Sequence, residues 1–420
     1  MAIAEQAPTA ARAAPRAEGE RLRVLVVSAQ FPFPPHFGFA TRVYQLTRQL
    51  AARHDTTLLS YVAPGGDEHV ERLRQELDVE VVRQQPPSLV SKRTSQLLSV
   101  ASPHPFSCRS VYSRELQQAI DRLCASRRFD VIQLESSLLC AFRFPREALL
   151  VLDEHNLEYE VFQRMQEGER SLPRRAFNRV EHLRFRRFEQ RWWRQVAACV
   201  LTSDREKVIV RRHAPGTPTE VVPNGVDVAS FRPTGDAPEP RTMVFNGLLH
   251  YRPNLDAAYH LVDEIWPLVR QRVPDAVVTI VGRGDPEDLR RLARPGVVVT
   301  GEVPDVRPYL ERAAIVGVPV RMGGGTRLKV VEGLAMGKAM VSTTLGCEGV
   351  KVVDGESIAI ADTAETFAAS VVRLFEDRAE ADALGRGGRA LMEREYSWDI
   401  AGARLEELYQ RVTARPVEAS

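Results

Sequence analysis

Apolar residues in this chain come in short continuous runs separated by longer stretches of helical period. The runs at 22–29 (LRVLVVSA), 56–62, 79–82, 130–134, 149–153 and 198–203 are too short for buried helices and rich in β-branched residues. They are apolar at consecutive positions, as strands covered on both faces of a parallel sheet are. Helical segments at 40–53 and 113–126 lie between them. The run at 198–203 is expected to be the last strand of this half, and 219–228 (TEVVPNGVDV) reads as turn chemistry at Pro223-Asn224-Gly225. A second series follows, with strands at 242–248, 276–281, 297–300, 315–320, 339–342 and 358–360 and helices at 255–273, 286–293, 306–312, 326–336 and 364–376. Two such series predict an α/β protein of two Rossmann-like halves facing a cleft, with ligands at the carboxyl ends of the strands. Helices from 379 and 398 come after the second sheet is complete, and the last is expected to pack back on the first half. The domain expectation is therefore a tail at 1–20, a first domain at 21–205 with a returning helix at 396–414, and a second domain at 206–395.

The region after Asp153 breaks this rhythm. DEHNLEYE opens a helical stretch that becomes strongly basic, LPRRAFNRVEHLRFRRFEQRWWR. Phe177, Val180, Leu183, Phe185, Phe188 and Trp192 recur at helical spacing and predict a core-facing stripe. The arginine face is either simply solvated or leans on an anionic membrane through helix 173–195, a reading favoured by Trp192-Trp193 between Arg191 and Arg194.

Composition narrows the class. With 44% hydrophobic and 27% charged residues over 420 positions, the chain can fill two or three globular cores. Lys+Arg 57 against Asp+Glu 55 gives no global field suited to nucleic acid. Five scattered cysteines form no metal-ligand or disulfide spacing, which fits a cytoplasmic protein, peripheral to the inner face of the membrane on the second reading. The Ala/Pro/Arg/Glu-rich residues 1–20 read as a disordered tail without a signal sequence.

The most chemically loaded stretch is 318–349. A buried strand, a glycine turn, an amphipathic helix carrying Arg327, Lys329 and Glu332, and a second apolar strand place backbone N–H groups, two cations and one carboxylate around one point. That combination suits a diphosphate joined to a sugar-like diol. Two familiar motifs are only nearly present. Val281-Gly282-Arg283-Gly284 lacks the third glycine of a dinucleotide fingerprint. Gly333–Lys338 lacks the residue count and the Ser/Thr of a phosphate loop. No D-x-D triplet, HExxH or Cys/His pair indicates a protein-held metal.

As a set, RVLVVS…PPHFG, DEHN, VVPNGVD, FNGLLHYRPNLDA, VTIVGRG, VVVTGEVPDV and GGGTRLKVVEGLAMGK resemble the retaining glycosyltransferases of family 4 (group 1), with the GT-B fold, over about 22–412. The resemblance is to bacterial surface-polysaccharide sugar transferases. It implies a nucleoside-diphosphate sugar as donor substrate, no separate cofactor, no metal, and a glycan, lipid-linked or small-molecule acceptor. It also implies roles. Glu332 would hydrogen-bond the nucleotide ribose, and Gly323, Gly324 and Gly325 with Thr326 would let the backbone approach the diphosphate. Arg327 and Lys329 would neutralise the leaving group, His155 would bind the donor sugar, and Gly38 would belong to the loop that reaches the donor phosphate.

Three positions depart from the family pattern: an acid usual in the glycine stretch is Gly324, and two usual cations are Leu248 and Pro253. Arg327 and Lys329, with Arg252, are expected to take over the phosphate charge. Two other functions fit the same fold: a nucleotide-sugar isomerase or epimerase, and a catalytically degenerate scaffold that binds a glycan or partner.

Overall fold

The computed structural model describes residues 21–35, 37–84, 105–167, 171–323 and 327–414. The 1–20 tail expectation and Gly324, Gly325 and Thr326 lie outside them. The described chain divides into two compact units. One comprises the residues up to Pro223 with those from Ala401 onward, and the other is Asn224–Ile400.

The first unit is built on a seven-stranded parallel sheet of order β3-β2-β1-β4-β5-β6-β7. Its strands are β1 (Arg23–Ser28), β2 (Asp55–Val62), β3 (Asp78–Arg83), β4 (Val131–Glu135), β5 (Leu149–Glu154), β6 (Ala198–Leu201) and β7 (Thr219–Val221). Residues of β1, β4 and β5 are buried at consecutive positions, so the continuous apolar runs do reflect a sheet covered on both faces. The first half does not end at 203. Thr219–Val221 adds a strand beside β6, with Cys199 aligned to Thr219 and Leu201 to Val221, which carries this sheet past residue 205. Three residues with two polar members give no strand signal of their own. Pairing with β6 supplies it.

The C-terminal helix, Trp398–Thr413, returns to this unit from Ala401 on. Leu405, Leu408 and Tyr409 are fully buried, Glu406 meets His54 Nε2 at 2.6 Å, and Tyr409 Oη donates to Gln133 at 2.6 Å.

Four further helices matter for the site: α1 (Gly38–Arg53), α2 (Phe106–Val111), α3 (Glu158–Glu167) and α4 (Leu172–Trp193). The expected apolar stripe of α4 splits. Phe185 and Phe188 are buried, whereas Phe177, Val180 and Leu183 are 38–46% exposed. The buried face instead carries Asn178, Glu181 and Glu189. Glu181 accepts from Phe106 N at 2.8 Å, and Glu189 accepts from Glu158 N at 2.8 Å and Tyr159 N at 3.1 Å. Each acid occupies the open N–H groups at the start of another helix, α2 and α3. A rule that sends only apolar residues inward therefore finds Phe185 and Phe188 but misses the polar residues buried with them. Trp193 is fully buried and donates its indole N–H to Glu154 Oε1 at 2.8 Å, so it cannot anchor a membrane contact.

The second unit contains a six-stranded parallel sheet of order β10-β9-β8-β11-β12-β13: β8 (Glu239–Asn246), β9 (Val277–Val281), β10 (Val297–Gly301), β11 (Ala313–Val318), β12 (Ala339–Ser342) and β13 (Ala359–Ile360). Two helices position the site, α5 (Arg252–His260) and α6 (Leu328–Ala335). The helix expected at 255–273 is interrupted by a wide π turn at Leu261–Ile265 before Trp266–Arg272 begins with Pro267 near its start. Proline has no N–H for the i→i−4 ladder, so the chain widens there.

Candidate functional site

The second unit gathers its chemistry at the carboxyl end of β8 and the start of α6. Lys329 and Glu332 are three residues apart on α6 and so share one face, while Val330, Val331, Leu334 and Ala335 are buried. Lys329 Nζ donates to Asn254 Oδ1 on α5 at 2.9 Å and lies 4.3 Å from the centroid of the Phe245 ring. Asn246, the last residue of β8, lies beside the Glu332 carboxyl and lowers its pKa. Burial, and then the charge of Arg327, push Lys329 down to about 7, with Glu332 pulling the other way. Burial pushes Glu332 up to about 7 against Lys329 and the neighbouring Asn246 side chain. Near neutral pH both groups are thus poised between charged and neutral forms.

Close backbone approach makes room for this cluster. A Cβ on Gly247 would sit 2.6 Å from Lys329 Nζ and 3.0 Å from the Asn254 side chain. One on Gly282, whose φ is +149°, would sit 1.9 Å from Gly247 O. The near-miss glycine pair at 282 and 284 is therefore a packing device that seats the Gly247 turn. Arg327, 9% exposed, stands immediately before α6, and Gly323 has φ +99° with Pro253 and Tyr251 around it. Arg252 opens α5 and is exposed, as is Leu248, whereas Pro253 is buried.

In the first unit the carboxyl ends of β4 and β5 make a second cluster. Glu135 and Asp153 are register partners on one face of the sheet, and Glu154 alternates to the other. Asp153 accepts from Arg42 of α1 through both oxygens, at 2.9 and 2.8 Å, and Arg42 also donates to Val222 O at 2.8 Å. His155 Nε2 meets Glu135 Oε2 at 2.8 Å, and its ring stacks on Phe39 with centroids 4.6 Å apart. Glu135 Oε1 accepts from Gln133 at 2.6 Å. Oxygens and nitrogen of Glu135, Asp153 and His155 lie within 4.8 Å of one another, a cation-like spacing. Both oxygens of each acid already accept from protein donors, so the group is a closed hydrogen-bond network. Gly38 is the first residue of α1, whose opening turn carries no acid and no side-chain cap.

On the opposite face of β5 lie three acids. Burial pushes Glu154 up to about 8 and Glu158 up to about 7, and it pushes Glu189 well above the carboxylate range. Glu154 Oε2 is buried without a hydrogen-bond partner.

The predicted residues thus fall in two groups, Arg327, Lys329 and Glu332 with Gly323 in one unit, and His155 with Gly38 in the other. Asn246, Asn254 and Phe245, and Glu135, Gln133 and Arg42, carry no individual signal in the sequence, whereas Asp153 stands in the DEHN motif. The first three lie within or beside the FNGLLHYRPNLDA motif, which marked the segment but not which side chains turn inward.

Comparison with known proteins follows the same division. The Glycosyltransferase Family 4 profile matches residues 38–230 and the profile of Glycosyl transferases group 1 matches 240–377. The phosphatidyl-myo-inositol mannosyltransferase of Mycolicibacterium smegmatis is 30% identical over 218 residues, covering 48% of this chain and 54% of that protein. The GDP-mannose-dependent monoacylated alpha-(1-6)-phosphatidylinositol monomannoside mannosyltransferase of Corynebacterium glutamicum is 29% identical over 212 residues, covering 46% and 56%. The chain spans about half the length of the curated relatives it matches. Among solved structures, sucrose-phosphate synthase from Thermosynechococcus elongatus superposes with a TM-score of 0.68 at 17% identity, covering 94% of this chain and all of that one. Anabaena HepE in complex with UDP and glucose gives 0.65 at 13%, covering 92% and 99%. These likenesses identify the fold as GT-B. Among the described residues no helix is long and apolar enough to cross a membrane.

Proposed function

Because the chain belongs to the family 4 (group 1) glycosyltransferases, we propose that it transfers a sugar from a nucleoside diphosphate to an acceptor hydroxyl, with retained configuration and without a protein-held metal. The observation that carries this reading is the poised pair Lys329 and Glu332 on one face of α6. The bond from the anomeric carbon to the β-phosphate oxygen breaks, and the acceptor oxygen bonds to that carbon from the same side. The acceptor proton passes to the departing phosphate. Lys329 and Arg327 stabilise the charge that builds on the diphosphate, which is where fixed cations lower the barrier most. Glu332, beside Asn246, takes the two ribose hydroxyls, and His155 takes a hydroxyl of the transferred sugar.

The relatives make GDP-mannose the first donor to test and a phosphatidylinositol-type lipid the first acceptor. A lipid acceptor agrees with the outer face of α4, where Leu172, Val180 and Leu183 are exposed among arginines. The protein would then meet the bilayer peripherally through that face.

Purified protein incubated with GDP-mannose and phosphatidylinositol vesicles should form a mannosylated lipid. Lys329→Ala and Glu332→Ala should lose that product while keeping the wild-type melting profile. Equal turnover by both variants would refute the site. Conversion of the donor without any acceptor would point to an isomerase instead, and calorimetry showing no binding of any nucleoside diphosphate would point to a scaffold.

A further inference from the structure

The hydrogen bonds of His155 continue through three more side chains, and their polarity is fixed at each step. Tyr409 Oη donates to Gln133 Oε1 at 2.6 Å, and Gln133 Nε2 donates to Glu135 Oε1 at 2.6 Å. Burial holds the Tyr409 phenol well above its ordinary range, so it remains a donor. Gln133 is thereby set with its oxygen towards Tyr409 and its amide N–H towards Glu135. With Oε1 so occupied, Glu135 Oε2 is the acceptor left for His155 Nε2 at 2.8 Å. Glu135, Gln133 and Tyr409 are each fully buried, so water cannot substitute for a lost member.

We propose that Glu135 is the positioning residue of His155, and that Tyr409, through Gln133, makes the C-terminal helix part of the same device. The inference rests on the proposed role of His155 at the transferred sugar. A carboxylate at Nε2 selects the Nε2–H tautomer and leaves Nδ1 as a hydrogen-bond acceptor for a sugar hydroxyl. The Phe39 ring, stacked at 29°, fixes the imidazole plane. The other charged groups around the ring do not compete for this task. Asp153 is 3.8 Å from Nε2 but spends both oxygens on Arg42, and Glu158, on α3, feels His155 through space, the ring lowering the pKa of that carboxyl.

The test is steady-state transfer kinetics across pH, together with 15N spectra of the His155 ring, on wild type, Glu135→Gln, Tyr409→Phe, the double variant and His155→Ala. In wild type the ring should be in the Nε2–H form. Glu135→Gln should lower kcat about 100-fold, with the donor KM within about 3-fold, shift the pH profile and mix the tautomers. Tyr409→Phe, which removes one oxygen, should lower kcat about 5- to 10-fold. The double variant should be no worse than Glu135→Gln alone, since both act through one chain. Wild-type kcat, pH profile and tautomer in Glu135→Gln, alongside an inactive His155→Ala, would overturn this inference and leave the proposed function standing. Independent, multiplying losses in the double variant would overturn the link to Tyr409. Full turnover by His155→Ala would remove the premise and the inference together.

Discussion

Lys329 and Asn254 are joined by a hydrogen bond of 2.9 Å in which a buried ammonium faces a neutral amide. Among the described residues no carboxylate forms an ion pair with that ammonium, and the Phe245 ring beneath it offers only a weak counter-field. A buried cation without an ion-pair partner is costly to keep charged, and this cost, with the charge of Arg327, drives Lys329 down to about 7 against the pull of Glu332.

A bound diphosphate would reverse that cost, because it favours the charged form. Binding above about pH 7 therefore requires proton uptake by Lys329, and affinity should fall by up to about tenfold per pH unit beyond it. Glu332 sets the acid limb. Its carboxyl, raised to about 7 by burial, loses acceptor capacity for a diol as pH falls. Nucleoside-diphosphate affinity should therefore peak near neutrality. Titration calorimetry in buffers of different ionisation enthalpy should show proton uptake on the alkaline side, absent in Lys329→Met. A flat affinity between about pH 5.5 and 9 would remove the pair from the binding site.

The glycines separate binding from folding. In Gly247→Ala the new methyl meets the tip of Lys329, which can move aside, so donor affinity should drop roughly tenfold while the melting temperature changes little. In Gly282→Ala it meets the backbone carbonyl of Gly247 at a φ of +149°, where an L side chain is strained. That variant should lose stability by several kcal/mol and express poorly. Thermal melts alongside nucleotide titrations distinguish the two, and equal loss of stability in both would show that Lys329 does not yield.

The order of sheet and helix was legible in the sequence because every strand of these two sheets but one falls on a short, mainly apolar segment, even where a polar residue such as Glu80 of β3 or Gln133 of β4 interrupts it. The exception, Thr219–Val221, is a strand only by virtue of β6 beside it. Lys329 and Glu332 were legible for a similar reason: they are close in sequence, and an i, i+3 spacing on a helix is a spatial statement. Glu135 and His155 are 20 residues apart, and their contact follows from the pairing of β4 with β5. Asn246 and Asn254 reach α6 across more than 70 residues. The buried acids of α4 were hidden for a different reason. Glu181 and Glu189 look like surface residues until the helix starts they cap are in place.

Glu189 belongs with Glu154 and Glu158 to a buried acid cluster that leads to a stability prediction. Glu154, at about 8, and Glu158, at about 7, have folded pKa values raised above the unfolded value, and Glu189 is raised in the same direction. The folded protein thus holds more protons than the unfolded chain through this window. The resulting stability is fully present below about pH 4.5 and is lost as pH rises through about 7 to 8. The melting temperature should therefore decline from mildly acid to mildly alkaline pH on account of these groups. Glu154→Gln keeps an acceptor for the Trp193 indole and cannot ionise, so scanning calorimetry should show a shallower decline. A variant as pH-sensitive as wild type would place the titration elsewhere.

The last prediction concerns the outer face of α4. Leu172, Ala176, Val180 and Leu183 follow one another at helical spacings of four, four and three, so they form a single exposed line. Arg175, Arg179 and Arg186 flank it on one side and Arg187 on the other, all exposed and none in an ion pair among the described residues. A solvated face would not need the apolar line, and a protein contact would not need so many unpaired arginines. An anionic bilayer uses both, with about 1 kcal/mol for each arginine near the surface. Sedimentation should show binding to vesicles containing about a third phosphatidylglycerol, weak binding to pure phosphatidylcholine, and strong weakening by salt. Reversing two charges in Arg179→Glu/Arg186→Glu should reduce partitioning by more than about tenfold, and Val180→Glu/Leu183→Glu should reduce it even at low salt. Neither pair lies in the core, so both variants should melt like wild type. Unchanged vesicle binding by both would assign α4 to solvent and leave the acceptor without a membrane route through this helix.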